Sequence, residues 1–183
     1  MHNLPNSNFI RFYGLLHVNR RETTAANLGG SFDSKLDVYK RNAITLARSL
    51  AAVDLSFTLL TNSKQALGGL PDLVNCLEIP FSLNVPSGTS FYSAHYKIDV
   101  LRYFANARDA YHILCDLDVI CINPIPRSLL NLAAQGTPLC YDVSDQVIPA
   151  HGTDLIIDDL SRLSGLPSEG RWYGGELIGG TSD

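Results

Sequence analysis

Ala110-Tyr111-His112-Ile113-Leu114-Cys115-Asp116-Leu117-Asp118 is the stretch on which the fold turns. From Ala110 to Cys115 it is a continuous apolar run broken only by a histidine, the pattern of a central parallel strand covered on both faces. A strand with one wet face would alternate apolar and polar residues instead. Parallel neighbours require crossover connections, usually helices, so this run predicts an α/β sheet. In such sheets ligands bind outside the carboxyl ends of the strands, which is where Asp116 and Asp118 fall.

The flanking sequence fits that reading. Upstream, over 91–107, Tyr92, Tyr96, Val100, Tyr103 and Ala107 recur every three or four residues and predict one helix with an apolar stripe, Lys97 and Arg102 lying on its other face. Phe9 to Val18 reads as a first strand, followed by a polar loop containing Gly29-Gly30. Ser34 with Asp37 resembles an N-cap pair opening a helix that runs to about Ala52. Leu55 to Thr61 and Asn75 to Ile79 predict two further strands, the first ending at Asn62. Downstream, Pro124 and Pro126 break the chain before a short helix, Leu129 to Ala134, and a strand, Pro138 to Tyr141. A helix over 154–163 and a glycine-bearing strand, Trp172 to Gly180, complete the pattern; strand glycines of this kind mark a place that another molecule approaches closely. No repeat or linker divides the chain, so 1–183 is expected to form one α/β domain, its sheet mostly parallel with helices on both faces.

Composition narrows the function. A formal charge of −4 and a pI near 5.7 provide no basic field for nucleic acid or an anionic membrane surface. No apolar run approaches the about 20 residues of a membrane-spanning helix, and the N-terminus lacks a signal-peptide layout, so a soluble cytoplasmic protein is expected. Cys76, Cys115, Cys121 and Cys140 lie in apolar stretches without metal-knuckle spacing and read as buried thiols.

Two carboxylates at one strand end repel each other and lose water unless a cation compensates them. In an extended segment, residues two apart face the same side, so Asp116 and Asp118 can share a divalent metal while Leu117 faces the core. The alternative is that Asp-Leu-Asp merely ends a strand in solvent. Lys97 has an equally plain alternative as a solvated helix charge.

The wider pattern is Tyr96-Lys97-Ile98-Asp99-Val100-Leu101-Arg102-Tyr103-Phe104, then Tyr111 through Val119 with its Asp-Leu-Asp, Pro124, and finally Trp172-Tyr173-Gly174-Gly175-Glu176-Leu177-Ile178-Gly179-Gly180. Over nearly the whole chain it resembles the nucleotide-diphospho-sugar glycosyltransferases of the GT-A fold, a Rossmann-like type, particularly the retaining galactosyltransferase and glycogenin-like group. The resemblance implies transfer of a sugar from a nucleotide-diphosphate donor, a UDP-sugar, to an acceptor it does not identify, assisted by Mn2+ or Mg2+ at a DxD motif. By the family's pattern Asp118 would ligate the metal directly, and Asp116 would touch the ribose or share the metal. Lys97 would lie near the diphosphate or sugar, His17-Val18-Asn19 would edge the nucleoside pocket, and Asn62, Gly174 and Gly175 would join the donor site. Such a metal and an ammonium would stabilise the charge of the departing diphosphate.

Asp142 and Glu176 are the catalytic candidates. The family places an acid that contacts sugar or acceptor near Asp142, although Asp142-Val143-Ser144-Asp145 also has ordinary turn chemistry. A glutamate inside a largely apolar strand is costly unless paired, which favours a role for Glu176. His112 is expected to be structural, and His95 and His151 receive no role.

Retaining members of the group draw a third metal ligand, often a histidine, from a region after the glycine-rich strand, and this chain ends at Asp183 before any such region. The expectation is therefore a C-terminally incomplete domain whose last strand is an exposed apolar edge and which self-associates. A non-catalytic nucleotide-sugar binding remnant is the alternative to an enzyme. A haloacid dehalogenase-type phosphohydrolase also ends a strand in Asp-x-Asp. It carries the pair near its N-terminus followed by Gly-Thr, whereas Val119-Ile120 follows here.

Overall fold

Strands and helices alternate along the chain in the computed structural model, which describes residues 9–20, 30–89, 91–108, 110–146 and 152–182. The elements are β1 (Ile10–Leu16), α1 (Phe32–Ala51), β2 (Phe57–Thr61), β3 (Asn75–Glu78), α2 (Lys97–Ala105), β4 (Tyr111–Cys115), α3 (Arg127–Ala134), β5 (Leu139–Asp142), α4 (Thr153–Ser164) and β6 (Tyr173–Gly180). The strands form one six-stranded sheet in the order β3-β2-β1-β4-β6-β5. β1 pairs in parallel with β2 and β4, and β2 with β3, while β6 runs antiparallel to both β4 and β5. The sheet is thus mixed but mostly parallel. Its chain order steps outward from β1 through β2 to β3, then returns to the other side of β1 for β4, which makes the β1/β4 boundary a topological switch point.

Alternation along the strands separates two cores. Leu16 of β1, Phe57 and Leu59 of β2 and Cys115 of β4 pack with Leu36, Ala43, Leu46, Ala47 and Leu50 of α1. On the same face Ile10, Tyr111 and Ile113 meet Ala133 of α3. Tyr13, Leu60 and Leu114 point the other way, against Val100 and Phe104 of α2. β4 is buried at every position from Tyr111 to Cys115, as a strand covered on both faces must be. His112 is structural, as expected: it stacks on Phe104 at 4.8 Å and its Nε2 lies 3.3 Å from the Ala107 carbonyl.

Several sequence expectations shift. α1 begins three residues before Ser34's expected role as cap would place it, because Ser31 is the N-cap, its side chain accepting the Ser34 N–H at 3.2 Å. The single helix expected over 91–107 divides into a 3-10 turn, Tyr92–Tyr96, and α2. Val100 and Phe104 then face the sheet, whereas Tyr92 and Tyr96 turn toward His17. The largest correction concerns β6. It is not an exposed edge but an interior strand between β4 and β5, so the ground for expecting self-association through it is removed. The groups that approach its glycines belong to this chain: a Cβ at Gly179 would meet Tyr111 Cε1 at 3.0 Å, and one at Gly175 would meet Lys97 Nζ at 3.3 Å. Among the described residues no helix is long and apolar enough to cross a membrane. Of the thiols, Cys115 is buried as expected, Cys76 and Cys121 are half-buried, and Cys140 is exposed.

Candidate functional site

The carboxyl end of β4 carries the site. Asp116 N–H donates to the Glu176 carbonyl at 2.9 Å, extending the β4–β6 ladder by one residue. The chain then turns at Leu117 and Asp118. Leu117 is 7% exposed and lies in the α1 core, which pins the turn from inside. Asp116 is half-buried and Asp118 exposed. Tyr39 on α1 feels both charges: burial is the main cause that raises its pKa, and Asp118 and then Asp116 push it further. Two carboxylates and a phenol, contributed by β4 and α1, thus share one neighbourhood.

Lys97, the first residue of α2, reaches across the sheet end to this point. Its Nζ donates to Asp116 Oδ1 in a short ion pair and to the Gly175 carbonyl at 2.8 Å. The lysine side chain is only 19% exposed and that of Asp116 33%, so the pair is partly withdrawn from water rather than a surface contact. This placement departs from a solvated helix charge. The glycine at 175 is what permits the approach, because a side chain there would crowd the ammonium.

The exit of β1 forms the facing wall. Asn62, just after β2, accepts the Val18 N–H at 2.7 Å and donates to the Val18 carbonyl at 2.9 Å, so its amide continues the β1–β2 pairing beyond the strands. His17 next to it stacks on Tyr96 at 3.8 Å and meets Phe81 edge-on at 5.1 Å. Burial lowers its pKa to about 4, the more distant Asp99 charge only partly opposing it, so the ring is neutral at pH 7. Among the described residues its Nδ1 is buried without a hydrogen-bond partner. Asn19 Nδ2 lies 3.5 Å from the Tyr92 hydroxyl, which is itself 3.0 Å from that of Tyr96.

Asp99 holds this wall together, a role the sequence did not reveal. It is 5% exposed and accepts the Ser82 N–H and hydroxyl and the Leu83 N–H at 2.9–3.0 Å. Burial works to raise its pKa, but those hydrogen bonds and Arg102 outweigh it and hold the carboxyl below the usual range. The bonds fix the segment that bears Phe81 beside His17 and Tyr96.

The structure therefore brings Lys97, Asp116, Gly175 and Asp118 to one strand-end locality and gathers His17 and Asn19 at the exit of β1. Asn62 is engaged at both ends of its amide and positions the β1 exit. Gly174 is buried, and a Cβ on it would collide with the Glu176 carboxylate. Glu176 itself is exposed, which removes the burial cost that favoured a role for it. Asp142 adopts its turn alternative, accepting the Ser144 N–H at 2.9 Å and hydroxyl at 2.6 Å and pairing with Arg171 at 3.3 Å. The Ser144 bonds, with Arg171 adding to them, lower its pKa. His151 lies outside the described residues. Tyr39, Tyr96 and Phe81 complete the locality; Tyr96 had read only as part of a helix stripe, and neither Tyr39 within α1 nor Phe81 after β3 carried a signal of a site.

A metal needs oxygen donors, and Asp116 and Asp118 supply two carboxylates. Among the described residues no group of three or more His, Cys, Asp or Glu side chains gathers. Two carboxylates nevertheless fit Mg2+ or Mn2+ bound through one or two protein oxygens, with phosphate and water completing the shell. No family model matches the chain, and no curated protein matches it significantly.

Proposed function

We propose that the chain binds a nucleoside-diphosphate sugar, a UDP-sugar, at the β1/β4 switch point, and that it is a glycosyltransferase of the GT-A type moving the sugar to an acceptor. The observation that carries this reading is the convergence of Lys97 from α2, Asp116 from β4 and Gly175 from β6 at the carboxyl end of the sheet. A buried-facing lysine and two adjacent carboxylates suit a ligand that brings both phosphate and a divalent cation; nucleic acid and membrane partners have no such support.

In this reading Asp116 and Asp118 hold Mn2+ or Mg2+, which when bound supplies Lewis-acid stabilisation for negative charge on the diphosphate. Lys97 donates to a phosphate oxygen. Neutral His17, stacked on Tyr96, forms an aromatic floor beside the nucleoside, and Asn62 keeps that floor in place through Val18. Gly175 lets the Lys97 ammonium lie against β6, beside the place this reading gives to the sugar.

Titration calorimetry of UDP with Mn2+, repeated after chelation, tests the reading. Metal-dependent binding is expected. Asp118→Asn should abolish it while leaving the melting temperature within about 2 °C, because the side chain is exposed and outside the core. Undiminished affinity in that variant would remove Asp118 from the site.

A further inference from the structure

We infer that Lys97 is a resident cation that a divalent metal must displace from Asp116, so that metal and nucleoside diphosphate bind cooperatively through the movement of one ammonium group. The inference rests on the donor-site reading above and concerns how that site is regulated.

The ion pair is the starting point. Asp116 is partly withdrawn from water, and the Lys97 ammonium compensates its charge from within the protein. A divalent ion arriving at Asp116 meets that positive charge already on its ligand. Like-charge repulsion weakens metal binding for as long as the lysine stays there.

Lys97 nevertheless has somewhere to go. An ammonium has three donors; one serves Asp116, a second the Gly175 carbonyl at 2.8 Å, and among the described residues the third has no protein acceptor. The Gly175 carbonyl is a neutral acceptor, a weaker ligand for a divalent cation than a carboxylate, and it can act as a pivot. When a diphosphate arrives, its oxygens accept the two donors not held by Gly175, and Asp116 is released to the metal. The diphosphate thereby strengthens metal binding, and by linkage the metal strengthens diphosphate binding by the same factor.

Removing the ammonium should split these effects. Lys97→Met is expected to bind Mn2+ alone about tenfold more tightly than the wild type, since Asp116 is then uncompensated and unblocked. In wild type, saturating UDP should raise Mn2+ affinity by about tenfold or more, and in Lys97→Met it should raise it much less. Mn2+ affinity is read by electron paramagnetic resonance of free Mn2+ on the full chain, and thermal melting checks folding. Lys97→Gln, which keeps a donor for the Gly175 carbonyl, replaces the Met variant if that does not fold. Equal Mn2+ affinity in wild type and variant, with equal enhancement by UDP, would overturn the inference while leaving the metal site standing. Absence of Mn2+ binding in both proteins, with and without UDP, would overturn the donor-site reading and the inference together.

Discussion

Gly14→Ala tests the link between the sheet and the Asp116-Leu117-Asp118 turn. Gly14 lies in β1, paired with Leu59, and has no positive φ, so its backbone would accept any residue. Space is what excludes one. A Cβ would collide with Leu117 Cδ2 and stand 3.0 and 3.2 Å from Phe57 Cζ and Cε2. Carbon contacts are most favourable at about 3.5–4.0 Å, so the Phe57 ring must give by about 0.5 Å and Leu117 by more. Both are core side chains packed beneath α1, at 5% and 7% exposure, with little freedom to retreat. Overpacking of this kind costs about 1–3 kcal/mol. For a domain of this size that lowers the melting temperature by roughly 2–12 °C. The direction in which Leu117 moves also matters, because it anchors the turn between the two carboxylates. Metal-dependent UDP affinity should therefore fall with stability. Gly180→Ala is the matched control: it is also a strand glycine, but a Cβ there meets nothing within 4 Å. Its cost should stay within about 0.5 kcal/mol. Chemical denaturation of both variants, with calorimetry of UDP, gives the comparison. Equal stability of the two would refute the argument from packing around Leu117.

Two further outcomes follow from the β1 wall. Asn62→Ala removes both hydrogen bonds to Val18 and should destabilise the chain by about 2 kcal/mol, at about 1 kcal/mol net for each bond, with weaker nucleotide binding because His17 and Asn19 lose their support; a loss below about 0.5 kcal/mol in urea unfolding would show that Val18 is not held by this amide. His17 has a folded pKa of about 4 against an ordinary 6.5, so between those values the unfolded chain binds the extra proton and the folded chain does not. Stability should then fall as pH drops from 6.5 toward 4, and His17→Phe should flatten part of that slope, to which His112, whose pKa burial also lowers, contributes as well; an unchanged slope in urea midpoints against pH would exclude His17 as a source.

Much of the fold was legible because burial leaves a pattern. β4 had no polar position except His112, and that histidine is accommodated by stacking on Phe104, so the apolar run identified a doubly covered strand and located Asp116 at its end. Helix α1 was found from its polar cap, and α3 and α4 lie within two residues of the ranges expected for them. The position of β6 was not legible for the opposite reason. Half of its eight residues are glycine, so side-chain pattern carries little information about which strands flank it. The glycines signalled close approach correctly, but the approaching groups are Tyr111 and Lys97 of the same chain.

The site was legible in its charges and not in its supports. Asp116, Asp118 and Lys97 stood out because ionisable groups at the end of an apolar strand require a reason. Asn62 was noticed as a strand-end amide, yet its bidentate hold on Val18 depends on residues 44 positions apart and on β1 lying beside β2. Asp99 looked like any acid in the first turn of a helix. Its burial arises because the segment before α2 folds back over it, a tertiary event with no periodic signature. The burial expected of Glu176 did not follow, because strand membership was equated with burial and its side chain is exposed on β6.

The placement of β6 between β4 and β5 also sets an order of events during synthesis. β5 leaves the ribosome before β6, but among the described residues β6 is its only neighbour in the sheet. Until Tyr173–Gly180 has been made, the β5 backbone has no strand to pair with, and the open side of β4, next to Asp116, is likewise unpaired. The growing chain can assemble β1 to β4 with their helices as a parallel half-sheet, and β6 then pairs with the open edge of β4 and gives β5 its neighbour. Pairing of β6 with β4 and closure of the Lys97–Asp116–Gly175 junction are consequently one step, and the nascent protein acquires its candidate site only when β6 arrives.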